Sequence, residues 1–124
     1  MQPNSLSGIR ILIAEDEPLI AINHAALLME AGAEIAATCA TGREAMVCIG
    51  EIDIDVAVVD FVLADGNSEP LQEMLRGRQI PFVIVSAYPR ALIRTERGQE
   101  ILQKPVSREL LCDRVRAACR RQVL

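Results

Sequence analysis

The segment over residues 55–66 constrains the fold more than any other part of the chain. It contains an uninterrupted apolar run over 56–59, which ends at Asp60 and opens into a loop that contains Gly66. Such a run is typical of a strand buried on both faces of a parallel sheet covered by helices. In open α/β sheets, function lies beyond the carboxyl ends of the strands. A buried carboxylate destabilises the fold unless a cation or a proton neutralises it, and it is otherwise kept for a reaction. Asp60 is therefore the first functional candidate.

Segments with the patterns of strands and helices alternate along the rest of the chain. The other strands are predicted over 9–14, 34–40, 81–85 and 101–103, and the helices over 18–30, 41–49, 68–76, about 91–95 and 107–122. Such alternation indicates an α/β fold, a flavodoxin-like (βα)5 doubly wound parallel sheet in a single domain, with right-handed crossovers. The strand order 2-1-3-4-5 is the most economical one for five such units.

Two helices carry patterns that predict which side chains are buried. In the first helix we expect an apolar stripe to face the core and His24 to lie on the surface. That stripe consists of Leu19, Ile22, Ala26 and Met29. The last helix carries several arginines, which we interpret as a solvated face or, alternatively, as a docking surface for an acidic partner. They are Arg108, Arg114, Arg116, Arg120 and Arg121.

The composition excludes several classes of function. With 124 residues, of which 51% are hydrophobic, the chain is long and apolar enough for one folded domain. A net charge of −4 and an aromatic share of 2% argue against nucleic acid as a partner. No apolar run reaches the roughly 20 residues of a membrane span, and no secretion signal is present, so we expect a cytoplasmic protein. The cysteines form no CxxC pair and are interpreted as small buried apolar residues: Cys39, Cys48, Cys112 and Cys119.

Polar side chains follow four of the predicted strands. In the order 2-1-3-4-5, the residues after strands 1, 3, 4 and 5 meet at one edge of the sheet. They are Glu15, Asp16, Asp60, Ser86 and Lys104. Three carboxylates at one place repel one another and require a counter-ion. Oxygen ligands of this kind suit Mg²⁺, which favours one or two carboxylates together with a phosphate.

A lysine and a hydroxyl beside such a metal are what a phosphoryl group requires, because the first neutralises one oxygen and the second donates to another. The carboxylate of Asp60 is then the nucleophile, which gives an aspartyl-phosphate. We expect Glu15 and Asp16 to hold the Mg²⁺ together with Asp60. The backbone carbonyl of Val62 is expected to complete the shell.

These residues, in this order, resemble the receiver domain of two-component response regulators. The resemblance extends over about 9–123, within a receiver domain assigned to 1–124, and it rests on five motifs. They are the segment 11–18 that contains Glu15-Asp16, the strand that ends at Asp60, the loop with Asp65-Gly66, the pair Ser86-Ala87, and Lys104-Pro105.

The resemblance implies a role for each of these residues. Asp60 is the phosphoacceptor, which receives a phosphoryl group from a histidine kinase or a histidine phosphotransfer protein. Asp16 is a direct metal ligand and Glu15 fills the other acidic position. Ser86 is the switch hydroxyl, and Lys104 is the salt-bridge partner of the phosphoacceptor.

The chain also departs from the pattern of the family. Ala64 stands near the position of a usual proline, and Ile101 occupies the position of the usual switch aromatic. An aromatic residue appears instead at Tyr88, as in a subset of mostly single-domain receivers. We therefore expect a stand-alone receiver in which Ser86 and Tyr88 form the switch and the fourth helix is reduced.

The expected function is that of a signalling module and not of a classical enzyme. It would act through conformational change, contact with a downstream protein partner or onward phosphotransfer, and a homodimer through the last helix is possible. One alternative is a phosphorylation-independent pseudo-receiver used as a binding or dimerisation module. Another is a small phosphatase-like hydrolase. Such enzymes usually have a second acid two residues after the nucleophile, and the presence of Val62 at that position argues against this alternative.

Overall fold

A five-stranded parallel sheet forms the centre of the computed structural model, which describes residues 5–88 and 99–121. In chain order the strands are β1 (Arg10–Ala14), β2 (Glu34–Cys39), β3 (Val56–Asp60), β4 (Val62–Leu63), β5 (Gly66–Asn67), β6 (Phe82–Ser86) and β7 (Ile101–Gln103). The main sheet has the order β2-β1-β3-β6-β7, and all its neighbours are parallel. Counted within this sheet alone, the order is 2-1-3-4-5, so the predicted flavodoxin-like fold is confirmed.

Four helices lie in the described part of the chain. They are α1 (Pro18–Glu30), α2 (Gly42–Glu51), α3 (Glu69–Gly77) and α4 (Arg108–Arg121). Thr41 caps α2 through a hydrogen bond from the backbone N–H of Glu44 to its Oγ1 (3.0 Å). Ser107 caps α4 in the same way, accepting from the N–H of Leu110 at 3.1 Å. None of these helices is both long and apolar enough to cross a membrane, and the helix predicted over 91–95 lies outside the described residues.

The sheet separates two apolar layers because successive side chains of a strand point to opposite faces. One layer packs against α1 and α4, and it includes Ile11, Ile13, Val56 and Val58. The other packs against α2 and α3, and it includes Leu12, Ala14, Ala57 and Val59. Strands β1 and β3 are therefore buried on both faces, as their apolar runs predict. This burial fixes the residues that follow them at the edge of the sheet.

The predicted core-facing stripe of α1 is wrong, and so is the surface position of His24. The buried residues of this helix are Ala21, His24 and Leu28. The side chains of Leu19, Ile22 and Met29 are instead 81%, 65% and 53% exposed; we call these three residues the α1 stripe. The helix is apolar on nearly every side, so periodicity alone could not decide which side docks. A histidine in the middle of the true buried face made that face look polar.

The loop after Asp60 contains a small antiparallel hairpin that the sequence did not predict. Strands β4 and β5 pair Val62 with Asn67 and Leu63 with Gly66, whose φ of 122° is accessible mainly to glycine. Strands of two residues are too short to carry a periodic pattern, which explains the omission. The hairpin lies directly between the end of the central strand and α3.

Candidate functional site

Three carboxylates meet at the carboxyl edge of the sheet, where β1 and β3 end side by side. Glu15 and Asp16 follow β1, and Asp60 is the last residue of β3. One ligand atom from each of these residues lies within 4.8 Å of the others. Glu15 and Asp60 are buried, with 3% and 6% exposure, and Asp16 is more open to solvent. We call this group the acidic cluster; its members are those expected from the sequence.

Lys104 reaches the acidic cluster from the end of β7. Its Nζ lies 2.6 Å from Glu15 Oε1 and 2.6 Å from Asp60 Oδ2, and its side chain is 8% exposed. The backbone that carries it is held by a hydrogen bond from the Lys104 N–H to the Ser86 carbonyl at 2.8 Å. The Lys104-Pro105 peptide bond is cis. Burial alone lowers the pKa of Lys104, but the bonds to Asp60 and Glu15 outweigh it and raise this pKa.

Glu15 is the carboxylate most affected by its surroundings. Burial raises its pKa to about 7, and the charge of Asp60 acts in the same direction. Lys104 opposes this rise, as does the backbone N–H of Glu17, which donates to Glu15 Oε2 at 3.1 Å. Two buried carboxylates beside one ammonium therefore leave unbalanced negative charge at this edge of the sheet.

A divalent cation fits the donors of the acidic cluster. All three side chains offer carboxylate oxygens, which are the ligands that Mg²⁺ prefers, and neither nitrogen nor sulfur donors belong to the group. Three carboxylates against the single ammonium of Lys104 leave two formal negative charges, which a divalent cation balances. The donor set and the charge therefore agree with the expected magnesium site.

The predicted switch residues lie beside this site, on β6 and just after it. Ser86 is fully buried, and its Oγ accepts a hydrogen bond from the backbone N–H of Tyr88 at 3.0 Å. The side chain of Tyr88 is half exposed. The backbone N–H of Val62 donates to Asp60 Oδ1 at 3.3 Å, and the role of its carbonyl as a metal ligand stays a prediction.

Asp65 has a structural role that its motif did not reveal. From the turn between β4 and β5, its Oδ1 accepts from the N–H of Gly42 at 2.8 Å, and its Oδ2 accepts from the N–H of Arg43 at 3.1 Å. These N–H groups belong to the first turn of α2, where no helical carbonyl is available to them. The same two bonds lower the pKa of Asp65. The loop after Asp60 is therefore attached to a neighbouring helix, a contact across 22 and 23 residues that local patterns do not encode.

Comparison with known proteins agrees with this geometry. Residues 11–116 match the response regulator receiver domain. The chain belongs to this family. Receiver domains are signalling modules of two-component systems, and the predicted family is thereby confirmed.

Two curated relatives are similar to this receiver domain. The phyllosphere-induced regulator PhyR of Methylorubrum extorquens is 32% identical over 100 residues, which is 77% of this chain and 38% of that protein. The transcriptional regulatory protein TcrA of Mycobacterium tuberculosis is 30% identical over 123 residues, which is 94% of this chain and 48% of that protein. The chain thus spans half or less of the curated relatives it matches.

Solved receiver domains have the same fold. The response regulator PhyR from Brucella abortus superimposes with a TM-score of 0.83 at 25% identity, covering 98% of this chain and 52% of that one. SdrG from Sphingomonas melonis Fr1 gives a TM-score of 0.77 at 32% identity, covering 90% of this chain and 95% of that one. The flavodoxin-like architecture is therefore shared over nearly the whole chain.

Proposed function

We propose that this receiver domain accepts a phosphoryl group on Asp60 from a histidine kinase or a histidine phosphotransfer protein. The supporting observation is the Lys104 ammonium, which lies 2.6 Å from carboxylate oxygens of both Glu15 and Asp60 at the end of the central strand. Asp16 contributes a third carboxylate to the same group. Membership of the receiver family supports the proposal independently.

In the transfer, a carboxylate oxygen of Asp60 attacks the phosphorus of a phosphohistidine in line with its bond to nitrogen. The new P–O bond forms as the P–N bond breaks, and the imidazole leaves with the electron pair of the broken bond. Lys104 already holds Oδ2 of Asp60 at 2.6 Å, whereas Oδ1 accepts only the longer bond from the Val62 N–H at 3.3 Å. We therefore assign Oδ1 as the attacking oxygen.

Lys104 and Ser86 stabilise the charge of the phosphoryl group. The ammonium of Lys104 is buried, so its attraction for a phosphoryl oxygen is only weakly screened by water. Ser86 Oγ accepts from the N–H of Tyr88, which leaves the hydroxyl proton to be donated to another phosphoryl oxygen. Both groups act on charge that develops during the transfer.

The acidic cluster would hold Mg²⁺ through Glu15, Asp16 and Asp60, with the backbone carbonyl of Val62 as a further ligand. The cation, when bound, neutralises negative charge on the phosphoryl oxygens. Lys104 offsets part of the repulsion between the buried carboxylates of Glu15 and Asp60.

The α1 stripe is the surface on which we propose that the protein phosphodonor docks. Leu19, Ile22 and Met29 expose apolar side chains on a helix that starts two residues after Asp16. A groove of about 350 Å³ runs beside this helix and is lined by Asp16, Ile22 and residues of β2. A donor that covers the stripe therefore reaches the acidic cluster directly. Large apolar side chains exposed along one helix are typical of protein interaction sites.

The signal would leave through Ser86, Tyr88 and β7. If Ser86 turns its hydroxyl toward a phosphoryl group, the bond from the Tyr88 N–H to Ser86 Oγ changes with it. The Tyr88 carbonyl accepts from the side-chain amide of Gln103, so the movement is passed on to β7. A downstream protein partner that contacts the exposed ring of Tyr88 would detect this change.

Intact mass spectrometry tests the proposed phosphorylation. Incubation with acetyl phosphate and Mg²⁺ is expected to add one phosphoryl group to the wild type. The adduct is expected to disappear with a chelator and in Asp60→Asn. Asp53→Asn, which changes an exposed aspartate a few residues earlier, is the matched control and is expected to keep the adduct.

A second candidate function is supported by the α1 stripe itself. An exposed apolar surface can bind a partner without any phosphorylation, as in a pseudo-receiver used as a binding module. Lack of an adduct with acetyl phosphate and with protein phosphodonors alike would favour that module and exclude the phosphoacceptor role. A phosphatase-like hydrolase would require sustained turnover of a phosphate ester, which we do not expect with Val62 beside the nucleophile.

A further inference from the structure

Two cysteine thiols touch beside the acidic cluster. Cys39 is the last residue of β2, and Cys48 lies in the final turns of α2. Their Sγ atoms are 3.7 Å apart, and both thiols are free. Cys39 is 4% exposed, whereas Cys48 is partly open to solvent. The thiol of Cys112 points instead at the Leu27 carbonyl, 4.0 Å away.

We propose that Cys39 and Cys48 are a redox modification site, at which hydrogen peroxide forms an intramolecular disulfide. The sulfur atoms are already in contact, so the bond requires them to approach from 3.7 Å to about 2.05 Å. The pair joins the end of β2 to α2, so the bond would draw the helix toward the strand. Both cysteines belong to the apolar layer that packs against α2 and α3.

The reaction balances in two steps. The thiolate of Cys48 attacks one oxygen of the peroxide, the O–O bond breaks, and a sulfenic acid and hydroxide result. The thiol of Cys39 then attacks the sulfur of Cys48, the S–O bond breaks, and a disulfide and water result. Two thiols lose two electrons and two protons, and the peroxide becomes two water molecules.

The exposure of the two residues decides the order of these steps. Cys48 is open to solvent in part, so the oxidant reaches it first. Cys39 is 4% exposed, so the oxidant does not reach it directly and its thiol is available for the second step. We therefore expect slow oxidation that stops at the disulfide and does not continue to sulfinic acid at Cys48.

The disulfide would join two elements that hold the acidic cluster in place. The Cys39 carbonyl accepts from the Glu15 N–H at 2.8 Å, and the first turn of α2 holds Asp65. Drawing α2 toward β2 would strain the hydrogen bond between Glu15 and Cys39 and the one between Gly42 and Asp65. We therefore expect the oxidised chain to accept a phosphoryl group several-fold more slowly, an effect that rests on the proposed function.

Peptide mapping tests the modification site on the whole chain. Trypsin cleaves after Arg43, so the disulfide would link peptide 11–43, which contains Cys39, to peptide 44–76, which contains Cys48. We expect this linked pair after treatment with hydrogen peroxide and its loss with a dithiol reductant. Non-reducing electrophoresis is expected to show a monomer, which identifies the bond as intramolecular.

Two variants separate the pair from general thiol oxidation. Cys48→Ser is expected to abolish the linked peptides, whereas Cys119→Ser, at another partly exposed cysteine, is expected to retain them. Circular dichroism checks that each variant folds. Sulfinic acid at Cys48 without any linked peptide, or a linkage that includes Cys119, would overturn the proposal.

The rate of phosphorylation tests the coupling separately. Equal rates for the oxidised and the re-reduced protein would overturn the coupling to Asp60. If the linked peptides form but neither protein is phosphorylated, the proposed function fails and the modification site stands.

Discussion

At the scale of single residues, Lys104 balances the acidic cluster. Its ammonium contacts Glu15 and Asp60, and all three side chains are buried. Removing one partner from a buried ion pair leaves the other charge uncompensated, which typically costs about 3–5 kcal/mol. Lys104 and the proposed Mg²⁺ would therefore act on the same carboxylates, and substitution of Lys104 separates their effects.

We expect Lys104→Met to slow phosphorylation of Asp60 by acetyl phosphate about 100-fold, a typical loss for one group that stabilises developing charge. The same change is expected to tighten Mg²⁺ binding several-fold, because it removes a positive charge beside the carboxylates. Intact mass measures the rate, and calorimetric titration measures the affinity. Lys104→Arg, which keeps the charge, is the control, and weaker Mg²⁺ binding in Lys104→Met would contradict the assigned role.

His24 makes stability depend on pH. It is 3% exposed, its Nδ1 has no hydrogen-bond partner within the described ranges, and burial, aided by Lys104, lowers its pKa. The folded chain therefore favours the neutral imidazole. In the unfolded chain, His24 binds a proton below about pH 6.5. Its contribution to the free energy of unfolding is therefore complete above that pH and is lost as the pH falls.

His24→Leu is expected to raise the melting temperature, and by more at about pH 5.5 than at about pH 8, because only the histidine binds a proton on unfolding at acid pH. Thermal denaturation at both pH values measures the difference. Asn23→Leu, at the neighbouring exposed position, is the control for adding an apolar side chain to α1. An equal gain at both pH values would show that His24 does not titrate as its burial implies.

At the scale of elements, α1 has one buried face and another on which we propose that a partner docks. Ala21, His24 and Leu28 are buried, while the α1 stripe remains exposed. Substitutions on the stripe therefore remove little buried area and are expected to affect binding much more than stability.

The double variant Leu19→Gln, Ile22→Gln is expected to reduce phosphotransfer from a protein phosphodonor about tenfold or more, the scale of a central interface contact. Phosphorylation by acetyl phosphate, which needs no docking surface, is expected to stay near the wild-type rate. Val47→Gln on α2, where the valine is 54% exposed, is the matched control. A similar loss with both kinds of donor would mean that the stripe supports the site and not the docking of a partner.

Helix α2 and the hairpin of β4 and β5 are connected through Asp65. Asp65→Ala removes the acceptor for the N–H groups of Gly42 and Arg43, so we expect a lower urea midpoint and faster amide exchange at both residues. Asp65→Asn keeps one acceptor oxygen and is expected to be intermediate. Because these bonds lower the pKa of Asp65, their contribution is present above about pH 3.8 and is lost as the pH falls. Unchanged exchange at Gly42 in Asp65→Ala would contradict this connection.

At the scale of the whole molecule, the sequence predicts what depends on long apolar runs. The apolar runs over 11–14 and 56–59 are typical of strands that are buried on both faces of a sheet. Alternation with helices then leads to a parallel sheet and to the strand order that is observed. Once the order is known, Glu15 and Asp60 must meet, because they follow neighbouring strands whose carboxyl ends share one edge. Lys104 follows β7, which β6 separates from β3, and its long side chain reaches across to both carboxylates.

The features that the sequence did not predict depend on contacts between distant residues. The docked side of α1 is decided by its fit to the sheet, since apolar residues surround the helix. The hairpin after Asp60 is set by a few backbone hydrogen bonds, and the contact between Asp65 and α2 by two bonds from backbone N–H groups to one carboxylate. The contact between Cys39 and Cys48 arises only when α2 packs on β2.

The most direct measurement identifies the phosphorylated residue itself. Sodium borohydride reduces an aspartyl-phosphate to homoserine, so the protein is treated with acetyl phosphate and Mg²⁺, reduced, digested with trypsin and sequenced by fragmentation. We predict homoserine at Asp60 within peptide 44–76, which also contains Asp53, Asp55 and Asp65 as internal controls. Homoserine at one of those aspartates, or at none of them while the intact protein carries the adduct, would contradict the assignment of Asp60 as the phosphoacceptor.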